Sequence, residues 1–498
     1  MSYEHLDVLI VGAGLSGIGA AARLQRELPH KSYAILETRD AVGGTWDLFR
    51  YPGVRSDSDM YTLGYDAKPW QHEKAIADGW TIREYIREAA AENGIDKHIR
   101  FGHKLIRADW DTPTARWLLE IELVNTGDRL KMTAGFLHFC SGYYKYDEGY
   151  TPDFPGIDDF QGTLVHPQFW PEDLDYEGKR VVIIGSGATA MTLVPAMAEK
   201  AAHVTMLQRS PTYVLSRPAI DGLAQAMDRV MPDAVAYGLT RLRQLLLTEI
   251  SYGLMTRYPK QARALIRKLT ASQLGKNFDV DTHFKPRYNP WEERLCLVPD
   301  GDLFKSLRAG TSSIVTDHIK AFTENGIELE SGVTLEADII VTATGLVLQG
   351  LGGAVGSIDG EEMNFADAIT YRGLMFAGVP NLATTFGYTN ASWTLKADLI
   401  SAYVCRLLKH MDRNGYDYAV PEHPPANEPL KPFLVSLQSG YVKRGKDLLP
   451  QQGVSEPWVV HQNYWVDMKN MRLGPVDVSM KFGSATAQVS ESNELAAV

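Results

Sequence analysis

Gly12-Ala-Gly14-Leu-Ser-Gly17 follows directly on the apolar run from Asp7 to Val11; after it come a helical pattern through Leu28, a second apolar run from Tyr33 to Leu36, and Glu37. Strand, tight turn, helix, strand and acid in that order make a dinucleotide-binding unit. Gly12 forms the turn, Gly14 lets a pyrophosphate approach the backbone, Gly17 lets helix pack on strand, and the helix start faces the anion. Glu37 stands where a carboxylate takes ribose hydroxyls. A second unit runs through Arg180 to Ile184, Gly185-Ser186-Gly187-Ala188-Thr189-Ala190, a helix to about Lys200 and a strand from His203 to Leu207, and it closes on Arg209 and Ser210. An acid there would repel a 2′-phosphate, whereas a guanidinium pairs with it. Two such sites on one chain imply two nucleotides that exchange electrons. The acid assigns FAD to the first site, and the arginine assigns NADPH to the second.

Between the two units lies Phe160-x-Gly162-x-x-x-His166-x-x-x-Trp170-Pro171, a connector whose glycine and prolines argue against regular helix or strand. The pattern resembles the fingerprint of type I Baeyer-Villiger monooxygenases; the related nitrogen- and sulfur-oxidising flavin monooxygenases have a similar fingerprint that lacks the Trp-Pro ending. Gly43-Gly44-Thr45-Trp46, with Tyr51-Pro52-Gly53 and Asp57, matches that family's second signature at every specified position. Cys140-Ser-Gly-Tyr-Tyr, Tyr146-Asp-Glu-Gly-Tyr150 and the run from Gly387 through Trp393 to Asp398 look most like the ethionamide-activating subfamily.

The resemblance implies a mechanism: NADPH reduces FAD, O2 adds to give a C4a-peroxyflavin, and this inserts one oxygen atom into a ketone to give an ester or lactone, or oxidises a sulfide or thioamide. It also implies roles. Arg294 supplies fixed positive charge and Asp57 positions it; the rival reading of Asp57 is a helix N-cap. Ser16, Gly44, Thr45, Trp46, Asp47, Leu48, Asp57 and Leu105 join the first loop around FAD. Arg55, Ser56, Asp57 and Trp393 join the second around NADPH, with a core tryptophan as the alternative for Trp393. The five fingerprint residues couple the domains. Glu293 occupies a position where many members have lysine, which removes one expected contact to the nicotinamide phosphate.

Positioning these residues calls for an α/β two-dinucleotide flavoprotein with two Rossmann-like domains. The expected FAD domain is discontinuous, 1–150 and 345–498; the NADPH domain takes 151–212 and 292–344; a helical insertion takes 213–291. In that insertion Leu239, Leu242, Leu245, Leu246 and Ile250 read as an amphipathic face packed inward, beneath a solvated basic face carrying Lys260, Arg263, Arg267 and Lys268. The rival reading is peripheral contact with a membrane surface. A chain of 498 residues exceeds a single core, and a formal charge of -11 argues against a nucleic-acid partner. Cys140, Cys296 and Cys405 lie too far apart for a dithiol or zinc motif and fit a reducing cytosol. Neither a secretory signal nor a transmembrane run is visible, so the expected location is cytoplasmic. Three rivals remain: an N- or S-oxygenating flavin monooxygenase without ester formation, an NADPH oxidase that releases peroxide, and a redox sensor that merely retains its nucleotides.

Overall fold

The computed structural model describes residues 3–293, 295–434 and 439–486. Arg294 lies outside them. Among the described residues two large sheets dominate. In the first, Glu4–Val11 is flanked in parallel by Tyr33–Glu37 and Arg129–Phe139, and the antiparallel strands His103–Asp111 and Arg116–Leu123 extend it. Val355–Ile358 and Leu382–Thr384, from far along the chain, join it, and the short strands Ile99–Phe101 and Glu361–Glu362 bring the sheet to nine. Its central strands are apolar because both faces are covered. Helix Leu15–Glu27 packs on helix Trp393–Asn414 over one face, and Trp110 and Trp117 fill the core on the other.

The second sheet has five parallel strands in the order Ser312–Thr316, His203–Gln208, Arg180–Ile184, Ile339–Thr342 and Thr163–Val165. The last of these corrects the expected loop character of the fingerprint. Thr163 to Val165 form an edge strand, because an edge needs backbone partners on one side only and the flanking Gly162 and Pro167 lie just outside it.

An antiparallel ribbon, Tyr144–Gly149 with Leu346–Leu348, joins the regions that carry the two sheets. The helices Gly222–Asp228, Asp233–Arg257, Pro259–Leu274 and Val280–His283 leave from Tyr213–Arg217, whose parallel partner is Leu295–Pro299.

Candidate active site

Both glycine loops open onto one cavity of about 1090 Å³. In the first loop Gly12 has φ +103°, and a Cβ there would lie 2.7 Å from the Cys140 carbonyl oxygen. Gly44, at φ +56°, would bring a Cβ within 2.9 Å of the Gly14 Cα. Only glycine permits so close a backbone pair, and it leaves the floor of the cavity bare. Helix Leu15–Glu27 starts at Gly14 and helix Ala188–Met197 at Gly187, neither with a side-chain cap. Their first N–H groups stay available, the donor set that two pyrophosphates require. The residues therefore fit two dinucleotides.

Glu37 is buried and lines the cavity. It accepts from the Ala13 N–H at 2.8 Å and the Arg39 N–H at 3.0 Å, leaving acceptor capacity for ribose hydroxyls. Burial pushes its carboxyl upward, against the pull of those N–H donors and of the Arg39 guanidinium. Arg39 was not singled out by sequence. It donates to Asp47 at 2.7 Å, while its buried Nη1 has no hydrogen-bond partner among the described residues and its side chain lines the cavity, a donor open to the first nucleotide. An arginine two places after the strand-end acid was the available signal.

Asp47 was expected along the flavin and is not in the cavity wall. Its buried carboxylate pairs with Arg39, with Arg50 at 2.8 Å and with Arg83 at 3.7 Å, as a desolvated acid must. Leu48, Gly17 and Ala190 also lie behind the wall; Thr45, Trp46, Leu105 and Ser16 are in it. The Thr45 hydroxyl is 3.2 Å from the Tyr146 hydroxyl, a second lining residue that motif reading missed.

Trp393 donates its indole N–H to Ser16 Oγ at 2.8 Å and stacks on Tyr143, ring centroids 5.4 Å apart. The bond anchors it to the first nucleotide loop, although it was assigned to the second dinucleotide. Asp57 is exposed on the cavity, and the helix cap it might have been is Asp59, whose carboxylate accepts from Thr62 N at 3.0 Å. Arg55 lines the cavity and pairs with Asp302, leaving buried Nη2 without a hydrogen-bond partner among the described residues. Ser56 turns its hydroxyl to the Ser58 backbone. In the second loop Ser186 donates to the Ser210 carbonyl at 3.0 Å, and Gly185, Ala188 and Thr189 complete the rim. Arg209 stands exposed on the cavity, with no ion pair among the described residues.

None of the five fingerprint residues lines the cavity. Phe160 joins the core on one face of the second sheet, Trp170 the core on the other together with Tyr51, and Pro171 is exposed. His166 grips the ribbon: Nε2–H donates to the Gly345 carbonyl and Nδ1 accepts from Gln168 N, both at 3.2 Å. Burial holds the ring below its ordinary value, and a neutral imidazole is the form this pair of bonds needs. Gln168, also missed, donates from one amide to the Tyr146 carbonyl at 2.8 Å and the Lys145 carbonyl at 2.9 Å. Arg294 lies outside the described residues; its neighbours Glu293 and Leu295 line the cavity, and Glu293 lies 3.7 Å from Lys443.

The model of flavin-binding monooxygenase-like proteins matches residues 71–350, and that of NAD(P)-binding Rossmann-like domains matches 10–69. The chain is 52% identical, over 98% of its length and 99% of the relative's, to FAD-containing monooxygenase EthA of Mycolicibacterium smegmatis. It belongs to the flavin-binding monooxygenase family. A second EthA, from Mycobacterium tuberculosis, is 53% identical over 98% of this chain and 99% of that one. Steroid monooxygenase bound to NADP has the same fold at TM-score 0.74 and 21% identity, covering 96% of this chain and all of that one. Open cyclohexanone monooxygenase does so at TM-score 0.75 and 17% identity, covering 97% and 100%. This flavin monooxygenase thus carries the two-dinucleotide architecture that its loops called for.

Proposed function

We propose that the protein is an FAD- and NADPH-dependent monooxygenase of the Baeyer-Villiger kind, forming esters or lactones from ketones and oxidising sulfides and thioamides. The supporting observation is that two uncapped glycine loops face one cavity, beside a ribbon gripped by His166 of the fingerprint and by Gln168. Bound flavin, once reduced by the nicotinamide, supplies the chemistry of activating O2 and delivering one of its atoms.

The chain's own residues bind, orient and charge the site. Glu37 and Arg39 hold the first nucleotide, and Arg209 selects the phosphorylated second one. Arg294, between two lining residues, is assigned the fixed positive charge that stabilises oxyanion character where the oxygen meets the carbonyl. Asp57, on the same cavity, orients it. Trp393, Tyr143 and Phe386 form an aromatic wall that excludes water. His166 and Gln168 transmit the motion that exchanges nicotinamide for substrate.

The test is turnover of an aliphatic ketone, an aryl ketone and a thioether with NADPH under ¹⁸O2, products identified by mass spectrometry. One labelled atom in the ester is expected. Sulfoxide without ester would transfer the protein to the N- and S-oxygenating class, and peroxide matching all NADPH consumed would make it an oxidase. Arg294→Ala should keep flavin reduction by NADPH and lower ester formation by about 10²-fold, the scale of removing one stabiliser of developing charge.

A further inference from the structure

The helix Asp233–Arg257 corrects the inward packing expected of its leucines. Leu245 alone of the five named is buried; Leu239, Leu242, Leu246 and Ile250 are between 40% and 56% exposed, and so are Val235, Leu247 and Leu254. From Ala234 to Leu254 every exposed residue is Ala, Val, Gly, Leu or Ile. That is an uncharged face about 30 Å long at 1.5 Å per residue. The three charged residues in this span all point inward to partners: Arg241 to the Tyr61 and Gly64 carbonyls, Arg243 to Asp221, and Glu249 to Asn463 and Tyr464 N. An unbroken apolar face of that length calls for a cover.

Charge decides which cover. Residues 213–291 hold twelve Lys and Arg against six Asp and Glu, a surplus of six positive charges in a chain whose formal net charge is -11. Arg257, Lys260 and Lys268 are exposed on or beside the next helix, together with the apolar Tyr258, Leu265 and Leu269. Two copies placed face to face would set these cations against one another, whereas an anionic bilayer surface attracts them while its acyl layer takes the leucines. Among the described residues no helix is long and apolar enough to cross a membrane, so the contact lies along the surface. We propose that the outer face of this helical insertion docks on an anionic lipid surface.

The same helix presents Thr248 and Tyr252 to the cavity from its other side. One helix diameter, about 10 Å, would then separate the lipid from the reaction chamber. Substrates delivered by this route are lipophilic molecules that partition into bilayers. That last step rests on the monooxygenase reading; the docking itself does not, and is measured without turnover.

The experiment is sedimentation of the full-length, flavin-loaded protein with vesicles of phosphatidylcholine alone or mixed with phosphatidylglycerol, alongside light scattering. Binding is expected to the mixed vesicles and to weaken in salt and on pure phosphatidylcholine. The triple variant Leu242→Asp, Leu246→Asp, Ile250→Asp should lower it at least about tenfold with flavin content and turnover of a water-soluble ketone unchanged. Lys260→Gln and Lys268→Gln should each cost roughly fivefold on the mixed vesicles. A parent that stays in the supernatant, or a triple variant that binds equally well, overturns the proposal. So does a parent dimer that the triple variant converts to monomer without any vesicle binding, since the face then belongs to a second copy.

Discussion

Arg209 is the side chain to which we assign the preference between cofactors. It stands on the cavity with no ion pair among the described residues, so its guanidinium is available to a phosphate. Arg209→Ala should raise KM for NADPH about 10- to 100-fold, the scale of a charge-assisted bidentate pair, and leave that for NADH nearly unchanged; steady-state kinetics with both cofactors decides it. At Gly44 the constraint is steric. Gly44→Ala adds a methyl 2.9 Å from the Gly14 Cα at a φ that side chains resist, and should yield protein with a native far-UV spectrum but little bound flavin absorbance. Both residues were legible because the motif states why each type is needed. Asp47 was not: its position in the motif is fixed, but whether its carboxylate meets a cofactor or three arginines depends on residues 39, 50 and 83 folding around it.

At the scale of elements, the strands and helices around both loops follow from apolar runs of the right length between glycines, and Arg180 to Ile184 is a strand with the bounds read from sequence. The connector's strand was hidden, because Thr163 to Val165 pair with Ile339 to Val341, far along the chain. Likewise nothing local announces that Gln168 ties down the ribbon. If ribbon and nucleotide site move together through this amide, Gln168→Ala should leave the rate of flavin reduction nearly intact and lower ester formed per NADPH by roughly tenfold, the remainder appearing as peroxide. A parallel assay of product and peroxide measures this. Coupling that survives the substitution would leave Gln168 a merely structural residue.

For the molecule as a whole, stability should depend on pH through His138, buried in the first sheet with its ring 2.9 Å from the Thr385 hydroxyl. Burial pushes it down from 6.5 to about 4, so the unfolded chain binds the proton first as pH falls. The contribution is intact above pH 6.5 and is lost progressively between 6.5 and about 4. At pH 5 the loss should amount to about 2 kcal/mol, seen as a lower urea midpoint that His138→Gln makes less dependent on pH. The amino-acid sequence by itself determined the two nucleotide loops and the family, and it carries the assignment of the loops that we propose from their terminal charge, because each rests on residue types at short spacing along one chain. Only the tertiary structure decided that both loops share a cavity, that His166 and Gln168 clasp the ribbon between them, and that the leucines of the insertion face outward. Periodicity shows that a helix has an apolar side; which side the rest of the protein covers is set by contacts between residues hundreds of positions apart.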